Sequence, residues 1–183
     1  MVRARVPRPV RFGPDDALAI VEYNRGLFRQ FARKVRRLPG KAAFRQRGIG
    51  HESLFRTLVH ITNAQEVWIL YINRGRNTDA ELGKLFDNPA RQPTDWKGFD
   101  AYVGPVWDEI VSVTRRLTTK QLSSHVFAFW MKGRYTARDG YLQATLEEAM
   151  HIGEIIGALW QDDVATTDMT WIDVRRPPRR NPR

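Results

Sequence analysis

The chain has no cysteine among its 183 residues. That excludes disulfides, thiolate zinc sites and cysteine nucleophiles together. Any metal must then rest on His, Asp and Glu, and histidine is itself scarce: His51, His60, His125 and His151 are the full set. No apolar run approaches the roughly 20 residues of a membrane-spanning helix, so no membrane partner is expected. Residues 1–7 have no apolar core of the secretory kind. A cytoplasmic protein is the expectation. Gly-rich phosphate loops, dinucleotide fingerprints and G-x-S-x-G elbows are absent. Acids are missing from both ends. Arg3, Arg5, Arg8 and Arg11 precede the first Asp, and Arg175, Arg176, Arg179, Arg180 and Arg183 follow the last.

Those nine arginines explain most of the net charge of +10; without them the body carries about +1. The excess is therefore a property of Pro- and Arg-rich ends, which read as loosely packed segments. One basic cluster remains in the body: Arg29, Arg33, Lys34, Arg36, Arg37, Lys41, Arg45 and Arg47. Such a run is usually a solvated face. Nucleic acid is thus not the favoured partner. With 42% hydrophobic and 27% charged residues, the composition suits one well-filled domain.

Helical periodicity dominates. Gly13-Pro14-Asp15-Asp16 starts a first helix over residues 15–38, with Leu18, Val21, Phe28, Val35 and Leu38 on one side and Pro39-Gly40 as the stop. A second helix is predicted over residues 51–73 on the stripe Leu54, Leu58, Ile61, Trp68 and Ile72, ending at Gly75. The connection 74–93 holds a short helix at 80–86. A third helix over residues 94–117 carries Phe99, Val103, Val106, Ile110, Val113 and Leu117, with a kink expected at Pro105. Residues 119–137 break the pattern and read as an irregular hairpin. Thr136 and Asp139 then form a capping box that opens a fourth helix, reaching Trp160.

These elements imply an all-α fold, an antiparallel four-helix bundle with a short irregular or hairpin segment between helices three and four. The expected organisation is a basic arm at 1–14, the bundle at 15–161, and an extension at 162–183 whose Trp171 and Ile172 pack on the body or on a partner. Apolar residues on more than one side of helix four make a homodimer the expected assembly.

Helix four has a stripe of Leu142, Leu146, Ala149, Gly153, Ile156 and Trp160, and a second of Ala144, Glu147, His151, Ile155 and Ala158. Glu147 and His151 lie one above the other on that second side. On helix two, His60 shares a stripe with Ala64, Val67 and Tyr71. Buried imidazole and carboxylate need partners. His60, Glu147 and His151 together form a 2-His-1-carboxylate set with open positions, suited to Zn, Fe, Ni or Mn. Spacing alone leaves the ordinary alternative open, a helix face satisfied by hydrogen bonds. Glu148 and His151 have the i, i+3 spacing of di-iron bundles, but the other helices offer few carboxylates for a second ion. Glu154 is a candidate acceptor orienting His151. His51, nine residues before His60, falls on the opposite side of a continuous helix and reads as a capping or surface residue. His125 cannot be placed by spacing. Trp68, Trp107 and Trp130 read as core.

The stretch LFRTLVHITNAQEVW at 54–68, followed by TLEEAMHIGEI at 145–155, resembles the DinB/YfiT-like superfamily over about residues 15–160. The resemblance implies a four-helix bundle with a metal-binding histidine on helix two and a His-x-x-x-His pair on the last long helix. His60 and His151 match two of those ligands. Glu147 stands where the family usually has its other histidine, a departure that keeps a donor, adds negative charge and weakens the cation as a Lewis acid. The resemblance further implies metal-dependent chemistry on a small molecule: a thiol transferase, an isomerase or a hydrolase, with a thiol as co-substrate. The rival expectation is a non-catalytic bundle that binds a partner or nucleic acid through its basic tails.

Overall fold

Four long helices, each begun by a cap its own sequence supplies, form the frame. The computed structural model describes residues 12–48, 50–75 and 78–166. Helix α1 spans Pro14–Arg36, with Asp16 Oδ2 accepting from the Gly13 backbone N–H at 2.9 Å. Helix α2 spans Leu54–Gln65. It continues as a wide π turn over Glu66–Tyr71 and a tight turn over Ile72–Arg74, stopped by Gly75 at φ 71°. Glycine holds that left-handed conformation without a Cβ penalty. Helix α3 is short, Asp79–Phe86, with a Thr78/Glu81 capping box. Helix α4 spans Trp96–Arg115 and runs on through Pro105. A single turn, α5, covers Thr119–Leu122. The irregular segment is a hairpin: β1, His125–Val126, pairs antiparallel with β2, Tyr135–Thr136, in the register His125 with Thr136 and Val126 with Tyr135. The longest helix, α6, spans Ala137–Gln161 and opens on the Thr136/Asp139 box. The fold is an all-α helical bundle, and among the described residues no helix is long and apolar enough to cross a membrane.

Side-chain pairings set the directions. Arg25 meets Asp108, Arg36 meets Asp100 and Arg115 meets Glu22, so α1 and α4 run antiparallel. Gln65 meets Glu148 and Trp68 meets Glu147 while His60 lies by His151, so α2 and α6 are antiparallel as well. Between α2 and α4 the sense is parallel. Phe55 packs on Phe99 and Arg74 reaches Glu109, aligning α2 with α4. Parallel neighbours need a crossover, and the long connection from Gly75 to Asp95, with α3 inside it, supplies one.

The core lies between the four helices, with Phe28, Phe31, Leu58, Ile61, Trp107, Ile110, Ile152 and Ile155 almost wholly buried. The two apolar sides of α6 have different fates. On α6, Leu142, Leu146, Met150 and Trp160 face solvent, Leu146 at 66% exposure, while Tyr141, Ala144, Glu148, His151, Ile152, Ile155 and Leu159 point inward. With apolar residues all round the helix, periodicity cannot choose a face; the small Ala144 and Ala158 let neighbouring helices approach the other one. The basic cluster of α1 is partly neutralised. Arg45 and Arg47 clasp Asp162, Arg36 pairs with Asp100 and stacks 4.5 Å over Trp96, and Lys34 donates to the Ala165 carbonyl. The Arg47 and Arg45 guanidiniums hold the Asp162 carboxyl below its usual range. The arginine-rich ends, with Trp171 and Ile172, lie outside the described residues.

Candidate metal centre

Histidine 51 does not belong to α2. Ser53 is the N-cap of that helix, its hydroxyl accepting from the Arg56 N–H at 3.2 Å, so the two residues before it are free to fold back. They do so in a tightly wound loop. Gly48, Gly50 and Glu52 have φ of 65°, 47° and 70°, the Arg47 N–H donates to the Glu52 carbonyl at 2.8 Å, and the Ser53 N–H to that of His51 at 2.8 Å. A left-handed Glu costs energy that surrounding structure must offset. What the loop achieves is to lay the His51 ring on that of His60, with centroids 3.5 Å apart.

His151 of α6 completes a cluster, its ring centroid 4.6 Å from that of His60 and 5.1 Å from that of His51. One ring nitrogen from each of the three histidines lies within 4.8 Å of the others. His151 is only 5% exposed, and its Nδ1 lies 2.8 Å from Glu154 Oε2. A carboxylate on one imidazole nitrogen fixes the tautomer and leaves the other nitrogen as a lone-pair donor. Gly50 makes room for this contact, since a Cβ there would overlap the Glu154 carboxylate.

Glu147 lies on the α2 side of the cluster. Its Oε1 is 3.3 Å from His60 Nε2 and its Oε2 accepts from Trp68 Nε1 at 3.1 Å. Burial raises the Glu147 pKa, but the hydrogen bonds with His60 and Trp68 and the nearby imidazole outweigh it, and the net shift is downward. The His51 pKa is lowered, first by burial and then by the facing His60 and His151. A protonated His51 is thus disfavoured. Three imidazoles with converging nitrogens and carboxylates at the margin fit a divalent cation of the zinc type by donor chemistry.

Glu148, the alternative partner of His151 in an i, i+3 pair, points elsewhere. It is 2% exposed in the core between α2 and α6, where Gln65 Nε2 donates to its Oε2 at 2.9 Å. Among the described residues its Oε1 and that of Gln65 have no hydrogen-bond partner, and burial pushes its pKa up to about 8. His125 is exposed in the hairpin and borders a separate cavity of about 460 Å³ with Asn73, Arg116 and Tyr141. A cavity of about 370 Å³ does open onto the cluster, lined by His60, Asn63, Ala64, Val67, Trp68, Phe86, Arg91, Gln92, Trp130 and Glu147.

Beneath that cavity lies a polar network that periodicity does not reveal. Arg91, 2% exposed, donates through Nε to Glu66 Oε2 at 2.6 Å and through its terminal nitrogens to the carbonyls of Leu85 and Asn63. The Tyr102 hydroxyl donates to the same Glu66 oxygen at 2.6 Å, and burial followed by the Glu66 charge raises its pKa strongly. A buried pair needs such saturation, because unmet donors in the interior are costly.

The profile of the DinB superfamily matches residues 22–155, from within α1 nearly to the end of α6. The chain belongs to that superfamily, which is associated with metals. No curated protein matches the sequence.

Proposed function

We propose that the protein binds a divalent cation through His51, His60 and His151, and that it acts on a small molecule as a metal-dependent transferase, isomerase or hydrolase. The observation that carries this reading is the convergence of three ring nitrogens within 4.8 Å. The Glu154 carboxylate on the outer nitrogen of His151 supports it, and so does membership of a metal-associated superfamily. The set anticipated from spacing, His60, Glu147 and His151, thereby gains His51. Glu147 stays with it as the carboxylate nearest His60, on the side that opens to the cavity.

His51, His60 and His151 would hold the cation, which would supply Lewis acidity toward a thiol or water. The protein's own groups do the rest. Glu154 holds the His151 tautomer, Trp68 fixes Glu147 by its indole N–H, and Glu147 presents its carboxylate to the cavity beside His60. A thiol co-substrate remains the proposed partner, and Zn, Ni, Fe and Mn all suit the donors. The exposed stripe Leu142, Leu146, Met150 and Trp160 on α6 supports a homodimer, since apolar patches of this kind mark contact surfaces.

The test is elemental analysis of protein purified without a polyhistidine tag. About one equivalent of metal per chain is expected, lost in His60→Ala, His151→Ala and His51→Ala, and held about 10–100-fold more weakly in Glu147→Gln. Wild-type protein that takes up no metal at any ratio would sink the proposal. Metal retained without His51 would return the set to the other two histidines and Glu147.

A further inference from the structure

We propose that the cavity beside His60 and Glu147 binds a substrate with an uncharged, flat aromatic body, gripped by Trp68, Phe86 and Trp130 and presenting its polar head to the histidine cluster. For the identity of that head the proposal rests on the cation reading above; for the body it rests on the cavity alone.

At about 370 Å³, the space is near the lower end of ligand cavities, enough for one or two rings. Its mouth is aromatic. Phe86, at the end of α3, and Trp130, in the hairpin loop, are 45% and 40% exposed, with ring centroids 6.5 Å apart. Phe129 supports Trp130 edge-on at 4.8 Å. Large aromatic side chains left facing solvent around a concave opening lose apolar surface to water unless something covers them. Trp68 adds a third ring deeper in, held in place by Glu147.

Charge decides against an anionic or cationic body. Arg91 is the only guanidinium among the described lining residues, and it is engaged: Glu66 neutralises it, each terminal nitrogen donates to a backbone carbonyl, its Cζ lies 5.7 Å from the Phe86 ring centroid, and it is buried. Gln92 Oε1 is engaged by Arg56 and the Asn63 carbonyl by Arg91. Away from His60 and Glu147, then, the described lining offers ring faces and no free charge. Ring stacking favours a planar aromatic over an aliphatic body of equal size, because paired aromatic quadrupoles contribute beyond buried area.

The experiment compares benzohydroxamate, cyclohexanecarbohydroxamate and acetohydroxamate by calorimetry on zinc-loaded protein. The three share a head and differ only in the body. Benzohydroxamate is expected to bind about tenfold more tightly than acetohydroxamate and severalfold more tightly than the cyclohexane compound. The double variant Phe86→Ala/Trp130→Ala, both at exposed positions, should shrink the first gap to about twofold, leaving zinc content and acetohydroxamate affinity unchanged. No gap in the wild type, a gap that survives the double variant, or a cyclohexane analogue that binds equally well overturns the proposal. If the protein holds no zinc, the cation reading fails by itself. The aromatic cavity is then tested with 2-naphthol on metal-free protein: saturable binding lost in the double variant sustains it, and absent or unaltered binding ends it.

Discussion

Glu148 makes a pH-dependent weakness in the core that a single substitution should remove. The carboxyl titrates at about 8 in the fold against an ordinary 4.5. Because its folded pKa is raised, the native state holds a proton that the unfolded chain has already released. Stability from this group is therefore complete below pH 4.5 and is lost as pH rises through 8. At about 1.4 kcal/mol per pH unit, the whole span amounts to about 5 kcal/mol, of which about 2 kcal/mol falls between pH 6.5 and 9. His51, whose lowered pKa acts with opposite sign and adds stability as pH rises toward and through its ordinary 6.5, contributes equally to wild type and variant and cancels in their difference. Glu148→Gln keeps the shape and the Gln65 contact but cannot ionise. Urea melts of both proteins at pH 6.5 and pH 9 measure the effect. The wild type should lose about 2 kcal/mol more than the variant across that interval, and the variant should be the more stable protein at pH 9. Parallel losses in the two proteins would show that Glu148 is either ionised already or stabilised by a partner, and the argument from burial would fail.

Other expectations are more local. Gly50→Ala places a methyl where the Glu154 carboxylate lies and strains a residue at φ 47°; metal affinity measured by chelator competition should fall about 10–100-fold with little change in helix content by circular dichroism. Arg91→Ala leaves Glu66 and Tyr102 buried without their cation and should cost about 3–5 kcal/mol in chemical denaturation, whereas replacing the exposed Arg45, which shares Asp162 with Arg47, should cost less than about 1 kcal/mol. Leu146→Glu puts a charge in the middle of the exposed α6 stripe and should shift light-scattering mass from dimer to monomer while the melting curve barely moves; wild-type protein that is already monomeric removes that assembly from consideration.

Much of this architecture can be read without coordinates because its determinants are local. Pro14 with Asp15 and Asp16, the Thr136/Asp139 box and Gly75 each act within one turn of chain, and each marks a helix boundary in the fold. His60 and His151 stand out because imidazoles in apolar stripes demand partners wherever the stripe packs. The third imidazole escapes such reading for an equally physical reason. Periodicity extrapolates a regular helix backward from Leu54, but three left-handed residues between Gly48 and Glu52 end regularity there and carry His51 through a turn that no spacing rule describes. A signal was available in Ser53, which can cap a helix starting at Leu54 and so detach His51 from it. Trp130 is the converse case: a large aromatic that composition assigns to a core lies instead at a cavity mouth.

By itself, then, the amino-acid order determined which long segments are helical, several of the caps that bound them, and that any metal here must sit among nitrogen and oxygen donors. Tertiary structure alone decided which side of α6 turns inward, how a loop residue joins two helical ones around a shared centre, and that Arg91 and Glu66 meet beneath a ring-lined cavity. The division follows range: caps and turns are settled by neighbours a few residues away, whereas burial and convergence depend on surfaces brought together from distant parts of the chain.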